Sequence, residues 1–428
     1  MTQSSKPKTK SSGKSKALVF QDISELLTMS GAAQKHGRRV TSKDLGVLKN
    51  AALVVLNGCV KWVGCKAQLP REFKRGAKVV SLKGQTVLPA FLDCHTHTVF
   101  AGDRTDEFEM RIQGKSYQDI GKSGGGILST VNATRKASTS ELLKLAQSRA
   151  DKFVQQGITT LEVKSGYGLS LKDEVRILEV AKKVKGPKIV TTFLGPHAKS
   201  PDFGSLHDYL DKIIEEHLPV VAKKKSASRA DIFIESGYFS RSDGEKYIQK
   251  AKELGFDIVI HANQLTPNEG ADLAVSFQAK SADHLVHLTE DQVRKLSQSE
   301  VTCVLLPSSD FYMGIPYPNA RALINSGARI ALSTDFNPGS SPSLDFHFMC
   351  ILARTQMKMT LPEVISAVTV GPAFALSLES ERGSLQVGKR ADFIAIEGEW
   401  NKLFYEVGRS PISGVWRDGR QIFRAKKS

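Results

Sequence analysis

The sequence contains no uninterrupted run of about 18 apolar residues, the length that a membrane-spanning helix needs, so a bilayer span is not expected. Its opening stretch, MTQSSKPKTKSSGKSK, is rich in Lys, Ser and Gly and has no apolar segment, which argues against a secretory signal. Residues 1–16 read as a basic tail. Cysteine is scarce: Cys59, Cys65, Cys94, Cys303 and Cys350 form an odd, scattered set. Cys59 and Cys65 are too far apart for a CxxC pair and have no histidine nearby. That excludes a disulfide framework and a metal knuckle, and fits a reducing cytoplasm. The net charge of +16 comes without any RNP, helix-turn-helix or zinc-finger signature. Part of it lies in the tail and in Lys223–Lys225, and the rest falls on helix faces. A solvated surface that attracts a small anionic substrate is therefore expected, and specific nucleic-acid binding is not. There is no internal repeat.

What is present is a cycle of strand, polar residue, loop and helix. Strand-like segments occur at about 87–93, 158–163, 188–194, 230–234, 256–261, 280–285, 301–306 and 329–334. Ser138-x-x-Glu141, Ser242-x-x-Glu245, Thr289-x-x-Gln292 and Thr360-x-x-Glu363 fit helix capping boxes. Gly157 and Gly255 stand where a left-handed helix end is wanted. Eight strands alternating with helices predict a parallel sheet closed into a (β/α)8 barrel. An open doubly wound sheet would carry a glycine-rich dinucleotide turn after its first strand, and none is present. The flanks are β-branched and broken by Asn-Gly and Lys-Gly turns. They predict a small β-sandwich domain built from both chain ends, over 17–88 and 391–428, around a barrel over 89–390.

In such barrels the reactive groups gather at the C-terminal ends of the strands. Those ends here offer Asp93-Cys94-His95-Thr96-His97, Lys164 to Tyr167, His197, Glu235, His261 with Asn263 and Gln264, Asp283-His284, Ser308-Ser309, and Asp335 with Asn337. His95 and His97, at i and i+2 on an extended segment, project to one side. With His261 and Asp335 they make three nitrogens and one carboxylate oxygen, a set that suits one Zn2+ or Fe2+ and leaves room for water. Such an ion would lower the pKa of water toward about 7 and polarise a carbonyl. Asp335 then has the role of proton shuttle, and His284 that of a hydrogen-bonding partner to the developing oxyanion. A carboxylated lysine at the fourth strand would imply two metals. That position holds Glu235, which points to one. The long polar segment after the first strand, 98–127, is expected to cover the site as a lid. Arg104 and Tyr117 are its residues best suited to a carboxylate.

At this point the sequence resembles the imidazolonepropionases of the amidohydrolase superfamily. The resemblance rests on DCHTHTVFAGDRTDEFEMRIQGKSY, GGGILSTVNATR, LEVKSGYGL, TTFLGPHA, IHANQL, SADHL, STDFNPGSSP and GSLQVGKRADFIAI, which together span about residues 50–420. HTH and the final GKRAD strand occur across the superfamily, whereas the block through Arg104 to Tyr117, KSGYG and DFNPGSS are more specific. The resemblance implies an amidohydrolase-type barrel that opens imidazolone propionate to N-formimidoyl-glutamate in histidine degradation. It implies metal ligands at His95, His97, His261 and Asp335, and substrate contacts at Arg104, Tyr117, Tyr167, His197, Gln264, Asn337, Gly339 and Ser340. It also implies a homodimer, with zinc or iron as the metal. One departure is Gln264, where some members carry Glu. Gln is no general base, so Gln264 is assigned to binding and the proton to Asp335, assisted by His284.

Two rival readings remain at this stage. A purine or cyclic-ureide amidohydrolase would share the metal chemistry, but a neutral nucleobase gives Arg104 little to pair with. A barrel kept only as a scaffold would show losses at His95, His97 or Asp335, and all three are present.

Overall fold

The computed structural model of the chain describes residues 16–115 and 125–426. Tyr117, and all of the basic tail except Lys16, lie outside the described residues.

Among the described residues sixteen strands form two sheets. β1 (Leu18–Leu27), β2 (Val47–Leu56), β3 (Cys59–Cys65), β4 (Lys78–Ser81) and β5 (Gln85–Pro89) come from the N-terminal part. β14 (Phe393–Glu397), β15 (Ile412–Arg417) and β16 (Arg420–Arg424) return from the C-terminal part, in the order β16-β15-β14-β5-β1-β2-β3 with β4 beside β1. The expected β-domain of both chain ends is this one sheet, closed over its own apolar core. There Phe393 stacks on Trp416 at 4.9 Å and meets Phe20 edge-on at 4.9 Å. The Asn57-Gly58 turn between β2 and β3 has φ of 53° and 79°, the left-handed pair that a two-residue hairpin requires.

The second sheet runs in chain order through β6 (Phe91–Asp93), β7 (Ile158–Lys164), β8 (Lys188–Phe193), β9 (Arg229–Ile234), β10 (Asp257–Ala262), β11 (Ser281–His284), β12 (Thr302–Leu305) and β13 (Arg329–Leu332), each parallel to the next. Its two ends meet just past β6 and β13. Asp335 N–H donates to the His95 carbonyl at 3.0 Å, and His97 N–H to that of Phe336 at 2.9 Å. The barrel is thus closed through the segments that carry His95, His97 and Asp335.

Three local expectations need correction. The segment 87–93 is not one strand: Gln85–Pro89 pairs with β14, and Phe91–Asp93 pairs with β7. Pro89 has no N–H to extend the ladder, and the chain changes sheets at Ala90. The helix expected to be capped by Ser242 with Glu245 begins two residues earlier. Ser240 and Asp243 make the reciprocal box there, with Ser240 N–H donating to Asp243 at 2.9 Å and Asp243 N–H to Ser240 Oγ at 3.2 Å. The lid segment 98–127 is not all loop, since Thr105–Ile112 is helical. Elsewhere the caps form, though Ser138 with Glu141 makes only half of its expected box. Thr289 with Gln292 and Thr360 with Glu363 make both bonds, Ser138 accepts from Glu141 N–H, and Gly157 and Gly255 have φ of 91° and 84°.

Alternation within the barrel strands divides two cores. Leu161, Val163, Ile232, Ile234, Ile258 and Ile260 pack outward with the helices. The intervening Glu162, Lys164, Arg229, Asp231, His261 and Asp283 point inward. Charged groups therefore occupy positions that Val, Ile and Leu usually fill in such barrels.

Candidate active site

His95, His97, His261, His284 and Asp335 are all at most 3% exposed. One potential donor atom from each of His95, His97 and His261 lies within 4.8 Å of the others, and the same holds for His95, His284 and Asp335. Asp335 Oδ1 stands 3.4 Å from His95 Nε2 and 3.6 Å from His97 Nε2. Two of these side chains are carried on left-handed backbone, His284 at φ 80° and Asp335 at φ 50°, a costly conformation for a residue other than glycine. Asp93 ties the seam together beneath them, accepting from Thr334 Oγ at 2.6 Å and from His95 N–H at 3.3 Å.

The orientation of two rings is fixed by carboxylates. His95 Nδ1 meets Asp283 Oδ2 at 2.6 Å, and His261 Nδ1 meets Asp231 at 3.1 Å. A carboxylate on Nδ1 holds the proton there and leaves Nε2 with its lone pair toward the cluster. Burial first, and then the positive charge of Lys164 and the neighbouring imidazoles, holds His95 well below the ordinary histidine range. Burial followed by neighbouring imidazoles does the same for His97 and His284, so all three are neutral. His95 Nε2, His97 Nδ1 and His284 Nδ1 are buried without a hydrogen-bond partner among the described residues. Imidazole nitrogens of His95, His97 and His261 within reach of one another beside a carboxylate, with His95 Nε2 left without a hydrogen bond, are what a divalent metal ion takes as ligands, so the site fits one. Burial pushes Asp335 up to about 6, against the opposing pull of His261, Ser309 and Asn337.

A pocket opens above this cluster. Its lining brings together the predicted His97, Arg104, Tyr167, His197, His261, Gln264, His284, Asp335, Asn337, Gly339 and Ser340. His197 Nδ1 lies 3.1 Å from the Gly166 carbonyl, which places the proton on Nδ1 and an acceptor on Nε2. Burial lowers His197 to about 3, so it stays neutral. Asn337 organises the loop after β13: its Oδ1 accepts from Gly339 and Ser340 N–H at 2.8 Å each, and its Nδ2 donates to Ser340 Oγ. Glu235 takes no place in the cluster. It accepts from Ser236 and Leu265 N–H at 2.8 and 2.9 Å, and from the Thr266 hydroxyl, so it shapes the loop that carries Gln264.

Several lining residues carry no strand-end signal in the sequence, among them Glu107, Arg111, Tyr238 and Met313. Glu107 Oε2 accepts from Arg104 Nε and Nη2 at 2.7 and 2.6 Å, and its Oε1 from Gly126 N–H at 2.8 Å. Arg111 sits 4.9 Å over the Tyr312 ring. The spacing of Arg104, Glu107 and Arg111, three or four apart, was the available signal, because it puts them on one face once the segment is helical.

A closed parallel barrel with a histidine–aspartate cluster at its C-terminal face defines a class of metal-dependent hydrolases, and a model of the amidohydrolase family matches residues 120–423. A zinc-bound adenosine deaminase from Xanthomonas campestris shares the fold with a TM-score of 0.69 at 16% identity, covering 94% of this chain and 92% of its own. Nearer in sequence is the imidazolonepropionase of Bdellovibrio bacteriovorus, 51% identical over 96% of this chain and 97% of its own length. That of Symbiobacterium thermophilum is 39% identical over 95% and 97%. The chain belongs to the imidazolonepropionase family of amidohydrolases.

Proposed function

We propose that the protein hydrolyses the cyclic amide C–N bond of 4-imidazolone-5-propanoate to N-formimidoyl-L-glutamate, with His95, His97, His261 and Asp335 as ligands of one zinc or iron ion. The observation that carries this reading is the convergence of three buried histidines and a buried aspartate under a pocket that also holds Arg104. Such an ion, when bound, activates a water and polarises the scissile carbonyl.

The chain's own groups do the rest. Arg104, with Tyr117, holds the propionate carboxylate. Glu107 fixes the plane of the guanidinium from behind, and the Gly339 backbone passes close in front. His197 accepts from a ring N–H through Nε2, which a protonated histidine could not do. Asp335 takes the proton of the attacking water and hands it to the departing ring nitrogen. His284 donates to the oxygen that gains charge. Gln264 binds through its amide and moves no proton, while Tyr167, Asn337, Gly339 and Ser340 shape the rest of the pocket.

The same reading has the enzyme act in the cytoplasm as a homodimer. The test of function is incubation of metal-replete protein with freshly generated imidazolone propionate, following the loss of its ultraviolet absorbance. Turnover with formimidoyl-glutamate as product is the expected result. Absence of turnover would remove the substrate and direct the search to deaminase substrates.

A further inference from the structure

The charged layer inside the barrel has a hub. Lys164 Nζ lies 2.8 Å from Asp231 Oδ2, 3.1 Å from Glu162 Oε1 and 3.6 Å from Asp283 Oδ2, and all four side chains are fully buried. Two of these carboxylates are the ones that orient histidines: Asp231 receives His261 Nδ1 and Asp283 receives His95 Nδ1. One ammonium group thus stands where two lines meet, each ending in an imidazole nitrogen of the site. Lys164 is not among the residues that line the pocket.

Two buried carboxylates repel one another strongly where water cannot screen them. Without a cation between them they would separate, and each would drag its imidazole with it. An ammonium group at 2.8 and 3.6 Å holds both in place. Arg229 lies in the same layer, but its ion pair among the described residues is with Glu162 alone, at 3.6 Å. The polar filling of the barrel is therefore not uniform in what it supports.

We infer that Lys164 is a positioning residue for the metal, binding both carboxylates at once so that His95 and His261 present Nε2 to a shared ion. This rests on the metal reading of the cluster. Loss of Lys164 leaves the histidines and Asp335 present but their orientation loosened. The effect belongs first to metal affinity, and only through it to turnover.

The experiment compares wild type, Lys164→Met and Arg229→Met. Each is stripped of metal, melted to establish that it folds, and titrated with Zn2+ against a chromophoric chelator. The visible spectrum of each Co2+-loaded protein is also recorded. Lys164→Met should bind Zn2+ about 10- to 100-fold more weakly, the range for groups that orient a ligand histidine, with altered Co2+ bands. Arg229→Met, which disturbs the same buried layer, should keep Zn2+ affinity within about threefold of wild type on that principle. An unchanged affinity in Lys164→Met overturns the inference, as does an equal loss in Arg229→Met. If Lys164→Met does not fold, Lys164→Gln, which keeps a polar donor without the charge, decides: weakened Zn2+ binding in the folded protein supports the inference, and unchanged binding overturns it. Wild type that binds neither Zn2+ nor Co2+ would instead remove the metal reading itself.

Discussion

A methyl group at position 339 would stand 2.0 Å from Arg104 Nη1, far inside contact distance. The guanidinium cannot simply swing aside, because Glu107 holds it through Nε and Nη2. Gly339→Ala is therefore predicted to raise KM for the propionate substrate by about 10- to 100-fold, the equivalent of a charged hydrogen bond of about 1.5–3 kcal/mol, with kcat changed far less. Steady-state kinetics check this, and an unchanged KM would show that Arg104 does not bind the carboxylate. At this scale His95, His97, His197, His261, His284 and Asp335 were legible because each stands at or just past the end of a strand. Glu162, Arg229 and Asp231 were not, and Lys164 was legible only through its place at a strand end, although charged residues at alternate positions of parallel strands, usually apolar on both faces, were a sign of a polar barrel interior.

Between elements, His347 shows how packing writes a pH dependence into the fold. It lies in the first turn of the helix Phe346–Thr355, is 3% exposed, and meets Gln156 at 2.9 Å, just past the end of the helix Thr139–Gln155. Burial lowers it to about 4 from 6.5, so the folded state prefers it neutral. The sign follows: the stabilisation is complete above about pH 6.5, declines as the unfolded chain alone takes up a proton, and is gone below about pH 4. The loss across that window is about 3 kcal/mol. Melting temperatures of wild type and His347→Gln should converge as pH falls from 7 to 4, and parallel curves would contradict this. Elements were read well where caps and turns are chemical, as at Thr289, Gly157 and Asn57-Gly58. They were misread where tertiary context chooses between options. Ser240 competes with Ser242 for the same helix start, and the strand at 87–93 is divided because its two halves have partners in different sheets.

Across the whole molecule, the first and last barrel segments close the sheet with the bonds that bring His95 and His97 to Asp335, so the fold and the cluster are one construction. Metal should therefore stabilise the entire barrel: chelation is predicted to lower the melting temperature and Zn2+ to restore it, since an ion bound only to the folded state adds to its stability. Equal melting with and without metal would contradict that coupling. The architecture was legible because strand spacing and flanking β segments repeat over long stretches. The closing seam was not, because it pairs residues about 240 positions apart by backbone bonds that carry no side-chain signature. The most direct test of the account is turnover of imidazolone propionate by wild type, Asp335→Ala and Arg104→Ala, each with its metal content measured. Asp335→Ala is expected to lose turnover, while Arg104→Ala keeps its metal and fails chiefly through a raised KM. Substantial turnover by Asp335→Ala would contradict the account.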